Sequence, residues 1–350
     1  EDAFSHIAHI NIEAETLLSD NKTTCYRNKA QYPVSFDRQL KIGFFAPRSH
    51  RVVDCENCIL QPPIFADIVK IFRKFIIKNG ITVYDSEKHT GLLRHIYLRL
   101  AEVTGEVMVC AVINGEDLPH KNELIEKLTE IPSVKSIVLN INRDRTNVIL
   151  GKECVTVWGN DCIYDVLCGV KVRLSPLSFY QVNHDMAQQL YEKAAEYACL
   201  SGKETVLDMY CGTGTIGLSM AKKAKRIIGA EIVPEAVLDA KRNALENGIE
   251  NAEFICADAG EAAQELPSRG IKPDVVLLDP PRKGCSEMLL AEIVKMSPER
   301  IVYVSCDPST LARDCSRLKD LGYETKRLAA ADLFPRTVHV ESVALLTKQK

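Results

Sequence analysis

A cysteine and a glutamate in the C-terminal half of the sequence have the chemistry of a nucleophile and a general base. Cys306 follows the apolar segment Arg300-Ile-Val-Tyr-Val-Ser305, and Glu341 ends the run His339-Val-Glu341. A cysteine thiolate can add to carbon 6 of a uracil ring, which makes carbon 5 nucleophilic enough to take a methyl group from a sulfonium. A carboxylate can then remove the carbon 5 proton before the thiolate leaves. The alternatives are a buried core thiol for Cys306 and a surface acid for Glu341.

A glycine-rich loop lies upstream of this pair, at Asp208-Met-Tyr-Cys-Gly-Thr-Gly-Thr-Ile-Gly217, between a short apolar run and a helical pattern. Strand, glycine turn and helix in this order predict a nucleotide-binding βα turn, because glycine lets the backbone approach a ligand closely. By itself the loop also fits a plain tight turn. Glu231 ends the next predicted strand about 20 residues later, where an acid can accept hydrogen bonds from both hydroxyls of a ribose.

Acidic residues end four predicted strands of this half, and Cys306 follows a fifth; the acids are Asp208, Glu231, Asp258 and Asp279. Open α/β sheets bind ligands at the carboxyl ends of their strands, although any one of these acids could instead be a helix N-cap. The glycine pattern also fits a dinucleotide-binding dehydrogenase. Asp208 would repel a diphosphate but tolerates a cationic sulfonium with an α-amino group. We therefore expect S-adenosylmethionine as the ligand.

The N-terminal half has a different pattern, with mixed strand and helix signals that predict an α+β domain over residues 1–172. Between Lys22 and Arg51 there are seven Lys or Arg residues and one acid, with aromatic residues interleaved at Tyr26, Tyr32, Phe36, Phe44 and Phe45. A basic sheet face with aromatic side chains is typical of RNA-binding surfaces, and a merely solvated sheet face fits equally well. Residues 173–350 are then predicted to form a Rossmann-like domain.

Composition limits the class of protein. The 350 residues carry a net charge of −3, so any RNA contact must come from local basic patches. No apolar run has the length of a membrane span and no signal-peptide pattern is present. The thirteen cysteines are scattered and odd in number, which favours free thiols in a reducing, cytoplasmic compartment. Since the sequence begins with Glu1 and not Met, we expect a fragment or a processed chain.

Several motifs together resemble one family, the RNA 5-methyluridine methyltransferases, of the type that acts on bacterial 23S rRNA. The motifs are Tyr26-Arg-Asn-Lys-Ala-Gln31, Ser49-His-Arg-Val-Val-Asp54, Leu207-Asp-Met-Tyr-Cys-Gly-Thr-Gly-Thr-Ile-Gly217, Leu278-Asp-Pro-Pro-Arg-Lys-Gly284, Tyr303-Val-Ser-Cys-Asp-Pro-Ser-Thr-Leu-Ala-Arg-Asp314 and Asp332-Leu-Phe-Pro-Arg-Thr-Val-His-Val-Glu341. The resemblance implies an S-adenosylmethionine-dependent fold preceded by an RNA-binding domain. It assigns Cys306 as nucleophile and Glu341 as base. The cofactor contacts that it implies are Gln181, Tyr210, Glu231, Asp279 and, near the adenine, Asp258.

Members of this family often carry an RNA-binding TRAM domain and an iron–sulfur motif upstream of the region that this sequence covers. Cys58, in Cys55-Glu-Asn-Cys58, resembles the last ligand of that cluster, so we expect a cluster only in a longer chain and no metal here. We expect a monomer that binds RNA and no membrane.

Three alternatives to an rRNA enzyme stay open. The first is a tRNA 5-methyluridine methyltransferase, because the motifs are shared and the sequence only favours rRNA. The second is an RNA 5-methylcytidine methyltransferase, although such enzymes typically carry a cysteine where this chain has Arg282. The third is an RNA-binding module without turnover, which the intact Cys306, Glu341 and Asp279 argue against.

Overall fold

The computed structural model describes residues 1–349, and these form two compact units. The C-terminal unit comprises Glu1–Lys22, Leu167–Val172 and the chain from Asp185 onward, and the N-terminal unit comprises Thr23–Val166 and Arg173–His184. This division differs from the boundary predicted at residue 172, since the first 22 residues belong to the C-terminal unit. No helix among the described residues is long and apolar enough to cross a membrane.

The secondary structure alternates strands and helices in both units. In chain order the strands are β1 (Leu17–Leu18), β2 (Lys29–Asp37), β3 (Gln39–Phe45), β4 (Val52–Asp54), β5 (Leu93–Leu100), β6 (Val107–Ile113), β7 (Val134–Ile141), β8 (Glu153–Gly159), β9 (Ile163–Leu167), β10 (Val170–Leu174), β11 (Thr205–Met209), β12 (Arg226–Glu231), β13 (Ala252–Cys256), β14 (Val275–Leu278), β15 (Arg300–Ser305), β16 (Tyr323–Ala331) and β17 (Glu341–Lys348). The helices are α1 (Asp2–Ala8), α2 (Pro63–Asn79), α3 (Lys121–Thr129), α4 (His184–Ala198), α5 (Thr215–Met220), α6 (Pro234–Glu246), α7 (Ala259–Glu265), α8 (Glu287–Met296) and α9 (Pro308–Asp320), with short 3₁₀ helices at Ala221–Lys223 and Leu266–Arg269.

The C-terminal unit is built on an eight-stranded sheet with the order β1-β16-β17-β15-β14-β11-β12-β13. Strands β11 to β15 are parallel, and β17 runs antiparallel between β15 and β16. The central strands are short apolar runs whose side chains are buried on both faces, as parallel strands covered by helices must be. This topology confirms the predicted Rossmann-like methyltransferase fold.

Strand register aligns the carboxyl ends of the parallel strands. Met209 lies opposite Ala230 on one side and Leu278 on the other, and Leu278 lies opposite Tyr303. The residues that follow these positions therefore come together at one edge of the sheet. On the antiparallel side Ser305 pairs with Ser342, so the chain positions of Cys306 and Glu341 face each other across neighbouring strands.

The first 22 residues pack onto this same unit. Phe4 and Ala8 of α1 join the apolar core that includes Leu311 and Cys315 of α9. Strand β1 pairs in parallel with β16, which makes it the edge of the sheet. The burial of α1 and the pairing of β1 explain why this segment does not belong to the N-terminal unit.

The N-terminal unit contains a seven-stranded sheet with the order β4-β3-β2-β5-β6-β7-β8. One face of the sheet is covered by α2, whose buried side chains include Phe65, Ile68 and Phe72. Helix α2 begins at Pro63, where the missing N–H costs nothing, and ends at the left-handed Gly80. Strands β9 and β10 form a separate two-stranded sheet. The unit is an α+β structure, as the sequence predicted.

Candidate active site

The structure brings Cys306 and Glu341, the two residues predicted to carry the reaction, to one position on the sheet edge. Cys306 follows the last residue of β15 and is partly exposed, whereas Glu341 begins β17 and has only 5% of its surface exposed. Burial raises the pKa of the Cys306 thiol above its ordinary value, and the negative charge of Glu341 raises it further. The two groups therefore interact directly, although 34 residues separate them along the chain.

The guanidinium of Arg282 opposes these effects. It lies beside the Cys306 thiol and lowers the pKa of that thiol through its hydrogen-bonding and Coulombic interaction. Arg282 Nη2 is also 3.2 Å from Nδ1 and 3.4 Å from Nε2 of His339, so the imidazole flanks the guanidinium. Neither residue was predicted as a site residue. The signal available in the sequence was their place in the motifs after Asp279 and before Glu341.

The Glu341 carboxyl is tuned toward proton transfer near neutral pH. Burial raises its pKa to about 7, the charge of Asp279 raises it, and the charge of Arg282 lowers it. A general base is most effective when its pKa lies near the working pH, because it is then ionised often enough to accept a proton and still basic enough to hold one. Glu341 has the environment that such a base requires.

Three carboxyl groups lie together at the ends of β11, β12 and β14. Burial raises the pKa of Asp208 to about 7, and the charges of Asp279 and Glu231 contribute to that shift. Burial also raises the pKa of Asp279 to about 7. Asp208 is 1% exposed and its Oδ1 has no hydrogen-bond partner within the described residues. A cluster of acids with an unsatisfied oxygen fits a cationic ligand, and the sulfonium and α-amino groups of S-adenosylmethionine are cations.

The glycine loop wraps around these acids. Tyr210, Gly212 and Gly214 all have left-handed backbone conformations, with φ of 64°, 53° and 80°. The Gly217 N–H donates to Asp208 Oδ2 at 2.9 Å, and a Cβ at Gly217 would lie 2.8 Å from that same oxygen. Glycine is therefore required at Gly217 for the helix to approach the carboxylate.

Glu231 holds the loop to the neighbouring strand. Its Oε2 accepts a hydrogen bond from the Gly212 N–H at 3.1 Å, and its Oε1 accepts one from the Val233 N–H at 2.9 Å. The side chain of Asn243 also donates to the Thr213 carbonyl at 3.0 Å. These bonds fix the path of the loop before any ligand is bound, so a ligand meets a preformed cradle.

The remaining predicted cofactor residues occupy different places. Tyr210 is partly buried, and the charge of Asp258 is among the causes that raise its pKa, so these two residues are neighbours. Asp258 also caps α7, since its Oδ1 accepts from the Gly260 N–H at 2.8 Å. Gln181 belongs to the N-terminal unit, where its carbonyl accepts from the Asn28 side chain at 3.0 Å. Its side chain is not placed beside the four acids.

The Cys55 and Cys58 thiols are neighbours, since burial and the Cys58 thiol both raise the pKa of Cys55. Within residues 1–349 no group of three or more His, Cys, Asp or Glu side chains is arranged to hold a metal ion. Two thiols fall short of the four cysteines that usually hold an iron–sulfur cluster. The pair by itself does not fit the cluster.

Known proteins match this chain closely. The family model described as tRNA (uracil-5-)-methyltransferase matches residues 169–349. An uncharacterized RNA methyltransferase of Clostridium tetani is 47% identical over 349 residues, which are 99% of this chain and 76% of that protein. One of Halalkalibacterium halodurans is 46% identical over 350 residues, again 99% of this chain and 76% of the relative.

A solved structure matches over the same extent. The tRNA (uracil-54, C5)-methyltransferase of Pyrococcus abyssi, crystallised with S-adenosyl-L-homocysteine, superposes with a TM-score of 0.82 at 30% identity. The match covers 99% of this chain and 81% of that one. It includes both units and agrees with the motifs, the sheet order and the acidic edge. The chain belongs to the family of S-adenosylmethionine-dependent RNA uracil-5 methyltransferases.

Proposed function

We propose that the chain methylates carbon 5 of a uridine in ribosomal RNA, as a cytoplasmic monomer, with Cys306 as nucleophile and Glu341 as base. The observation that carries the proposal is the pairing of β15 with β17, which sets the thiol and the buried carboxylate side by side. Both lie beside Asp279, at the edge where the acids of the cofactor site lie. Light scattering would report the monomer as a mass near 39.0 kDa.

S-adenosylmethionine, when bound, supplies an electrophilic methyl group. The residues proposed to hold it are Gln181, Tyr210, Glu231, Asp258 and Asp279, and the buried Asp208 adds negative charge to the same region. The acids attract the cationic portion of the ligand, and Glu231 is available for ribose hydroxyls. The role of the other residues is to activate the uracil and to remove its proton.

The reaction begins when the Cys306 thiolate forms a bond to carbon 6 of the uracil. The electron pair of the carbon 5–carbon 6 double bond moves toward the carbon 4 carbonyl, and the resulting enolate takes the methyl group at carbon 5. Glu341 then removes the carbon 5 proton, the double bond returns and the thiolate leaves. Arg282 stabilises the thiolate at both ends of this sequence, since its positive charge favours the ionised sulfur.

Replacing Cys306 tests this mechanism. Cys306→Ala is expected to abolish methyl transfer and to prevent covalent capture by RNA that contains 5-fluorouridine, since fluorine at carbon 5 blocks proton removal and traps the adduct. Affinity for S-adenosylmethionine should stay nearly unchanged. Cys199→Ala is the matched control, because that cysteine is exposed in the same unit. Normal methylation by Cys306→Ala would show that the thiol is not the nucleophile.

The target RNA requires its own test. Ribosomal RNA is proposed because the motifs resemble those of bacterial large-subunit enzymes. Transfer RNA is the second candidate, favoured by the name of the structurally similar Pyrococcus abyssi enzyme. Unmodified rRNA and tRNA transcripts are incubated with the protein and digested to nucleosides, and mass spectrometry locates 5-methyluridine. Product in tRNA alone would replace the rRNA proposal, and product in neither would contradict both.

The sheet of the N-terminal unit is proposed to bind the RNA. Of its interleaved aromatic residues, Phe36 is 67% exposed and Phe45 is 43% exposed, whereas Tyr26 and Tyr32 are buried. Phe36 lies beside Arg38 at the turn between β2 and β3, and Phe45 precedes a loop that carries Arg48. Exposed rings next to cations can stack on bases and contact phosphates at the same time.

A further inference from the structure

A cavity of about 310 Å³ opens between the start of α8 and the outer face of α9 in the C-terminal unit. None of the residues proposed above for catalysis or cofactor binding lines it. Its lining residues are Lys283, Gly284, Cys285, Ser286, Glu287, Arg313 and Arg317. The volume equals that of roughly ten water molecules, which is enough for a phosphate group and part of a sugar. The lining is too polar and cationic for an apolar ligand.

The two arginines of the cavity are held in place before any ligand arrives. Asp314 is fully buried, and its Oδ1 accepts from Arg313 Nε at 2.9 Å and from Arg317 Nη1 at 3.2 Å. Arg313 Nη2 donates to the Lys283 carbonyl at 2.8 Å, and Arg317 Nη2 donates to Glu287 Oε1 at 2.7 Å. Because a guanidinium carries five N–H groups, each arginine keeps donors for a further acceptor.

Preorganisation of this kind favours anion binding. A ligand that meets two fixed guanidinium groups does not bear the entropic cost of ordering them. The same buried carboxylate accepts from the Cys285 N–H at 2.8 Å, so it also anchors the loop that lines the cavity. Gly284 permits this contact, because its φ is 72° and a Cβ there would lie 2.5 Å from Asp314 Oδ2.

Lys283 supplies a third cation, and this one is unpaired. It is exposed, and within residues 1–349 its ammonium group makes neither a hydrogen bond nor an ion pair. Ion pairing with Asp314 and Glu287 accounts for the two arginines in structural terms, but it gives no reason for Lys283. The lining side chains and the buried Asp314 together carry three positive and two negative charges, and the uncompensated positive charge belongs to Lys283.

We propose that this cavity binds a phosphodiester group of the substrate RNA, with Lys283 as its principal contact; the inference rests on the proposed function. Lys283 directly follows Arg282, whose guanidinium lies beside the Cys306 thiol. A uridine held at Cys306 carries a phosphate on each side, so a phosphate site on the same loop would fix the register of the RNA. The cavity thus contributes to substrate binding and leaves the bond-making steps to Cys306 and Glu341.

The test measures RNA binding as a function of salt concentration, by fluorescence anisotropy of a labelled single-stranded RNA with one uridine. Loss of one phosphate contact on a single strand lowers the slope of log affinity against log salt by about 0.7. Lys283→Ala should show this loss and Lys283→Glu a larger one, with an unchanged affinity for S-adenosylmethionine. Lys319→Ala is the matched control, since that lysine is exposed near the far end of α9.

A second measurement identifies the RNA phosphate as the ligand. Uncharged methylphosphonate linkages replace the phosphates next to the uridine, one at a time. One of these substitutions should weaken binding to the wild-type protein but have little further effect on Lys283→Ala. In single-turnover methylation Lys283→Ala should raise the RNA concentration needed for half-maximal rate and leave the maximal rate unchanged.

Equal salt slopes for Lys283→Ala and the wild-type protein would overturn the proposal. So would a methylphosphonate effect that is the same in both proteins. Because the binding measurements need no turnover, they remain readable if no 5-methyluridine is formed. In that case the proposed function fails on its own test, and the fate of the phosphate site is decided separately.

Discussion

Burial and two acids act on Cys306 in one direction and Arg282 acts in the other. Burial has the largest effect and raises the pKa of the thiol, Glu341 and Asp279 raise it as well, and only Arg282 lowers it. The protein by itself therefore holds the sulfur as a neutral thiol at neutral pH. Stabilisation of the thiolate depends on one guanidinium, which His339 flanks on its other side. A residue that the sequence marked only by its place after Pro-Pro thus governs the nucleophile.

Replacing Glu341 should separate methyl transfer from product release. Glu341→Gln cannot accept the carbon 5 proton, so the methylated adduct with Cys306 should accumulate while turnover falls by about 10²–10⁴-fold. The adduct would appear as a protein–RNA species that resists denaturation on a gel and has the mass of methylated RNA plus protein. Glu126→Gln, an exposed glutamate of α3, is the control. Full turnover by Glu341→Gln would mean that another group removes the proton.

Affinity for S-adenosylmethionine should increase as pH rises through about 7. Burial raises the pKa of both Asp208 and Asp279 to about 7, and a cationic ligand binds the ionised carboxylates more tightly than the protonated acids. Below that pH, binding must therefore expel protons, and above it no proton is released. Calorimetry in two buffers of different ionisation enthalpy measures this release directly. An affinity that does not change between pH 6 and pH 8 would contradict the cationic role of the acidic cluster.

At the scale of strands, the alignment of the acidic edge was readable from the sequence and its pairing partners were not. Asp208, Glu231 and Asp279 each follow a short apolar run, and parallel strands bring their ends to one edge. The closeness of Glu341 to Cys306 depends on β17 inserting antiparallel between β15 and β16. Strand order is a tertiary property that neither periodicity nor turn residues encode, so the resemblance to a family supplied what the pattern could not.

The hairpin formed by β2 and β3 offers a test of RNA binding by the N-terminal unit. Phe36 lies near its tip and is 67% exposed, although an apolar ring of that size is usually covered. If a base stacks on it, Phe36→Ala should weaken RNA binding by about 5- to 100-fold, from ~1–3 kcal/mol per stacked base. Val155→Ala on β8 is the control, since that side chain is 42% exposed at the opposite edge of the sheet.

The outcome separates the two interpretations of the basic, aromatic sheet face. If Phe36→Ala and Val155→Ala bind RNA equally well, the face is simply solvated. Thermal unfolding of both variants checks that the sheet is intact, and little change is expected because both side chains are exposed. A loss confined to Phe36→Ala would assign the hairpin to the RNA-binding surface.

Across the whole molecule, the two ends of the described chain meet in one sheet. Strand β1 forms an edge and β17 lies two strands away, with β16 between them. The sequence predicted an amphipathic segment near the N-terminus but assigned it to the N-terminal domain, because proximity along the chain was the only available guide. Glu15 further ties this segment to the C-terminal unit, since it binds Arg327 at 2.8 Å and accepts from the Tyr197 hydroxyl at 2.7 Å.

The burial of Phe4 makes this arrangement measurable. Its side chain is 2% exposed within the core of the C-terminal unit, whereas Ile7 on the same helix is 45% exposed. Phe4→Ala should lower the free energy of unfolding by ~3–5 kcal/mol, and Ile7→Ala should change it little. In calorimetry the first variant should lose at least ~6 °C of melting temperature. Equal, small effects of the two variants would mean that the N-terminal helix does not contribute to the core of the methyltransferase unit.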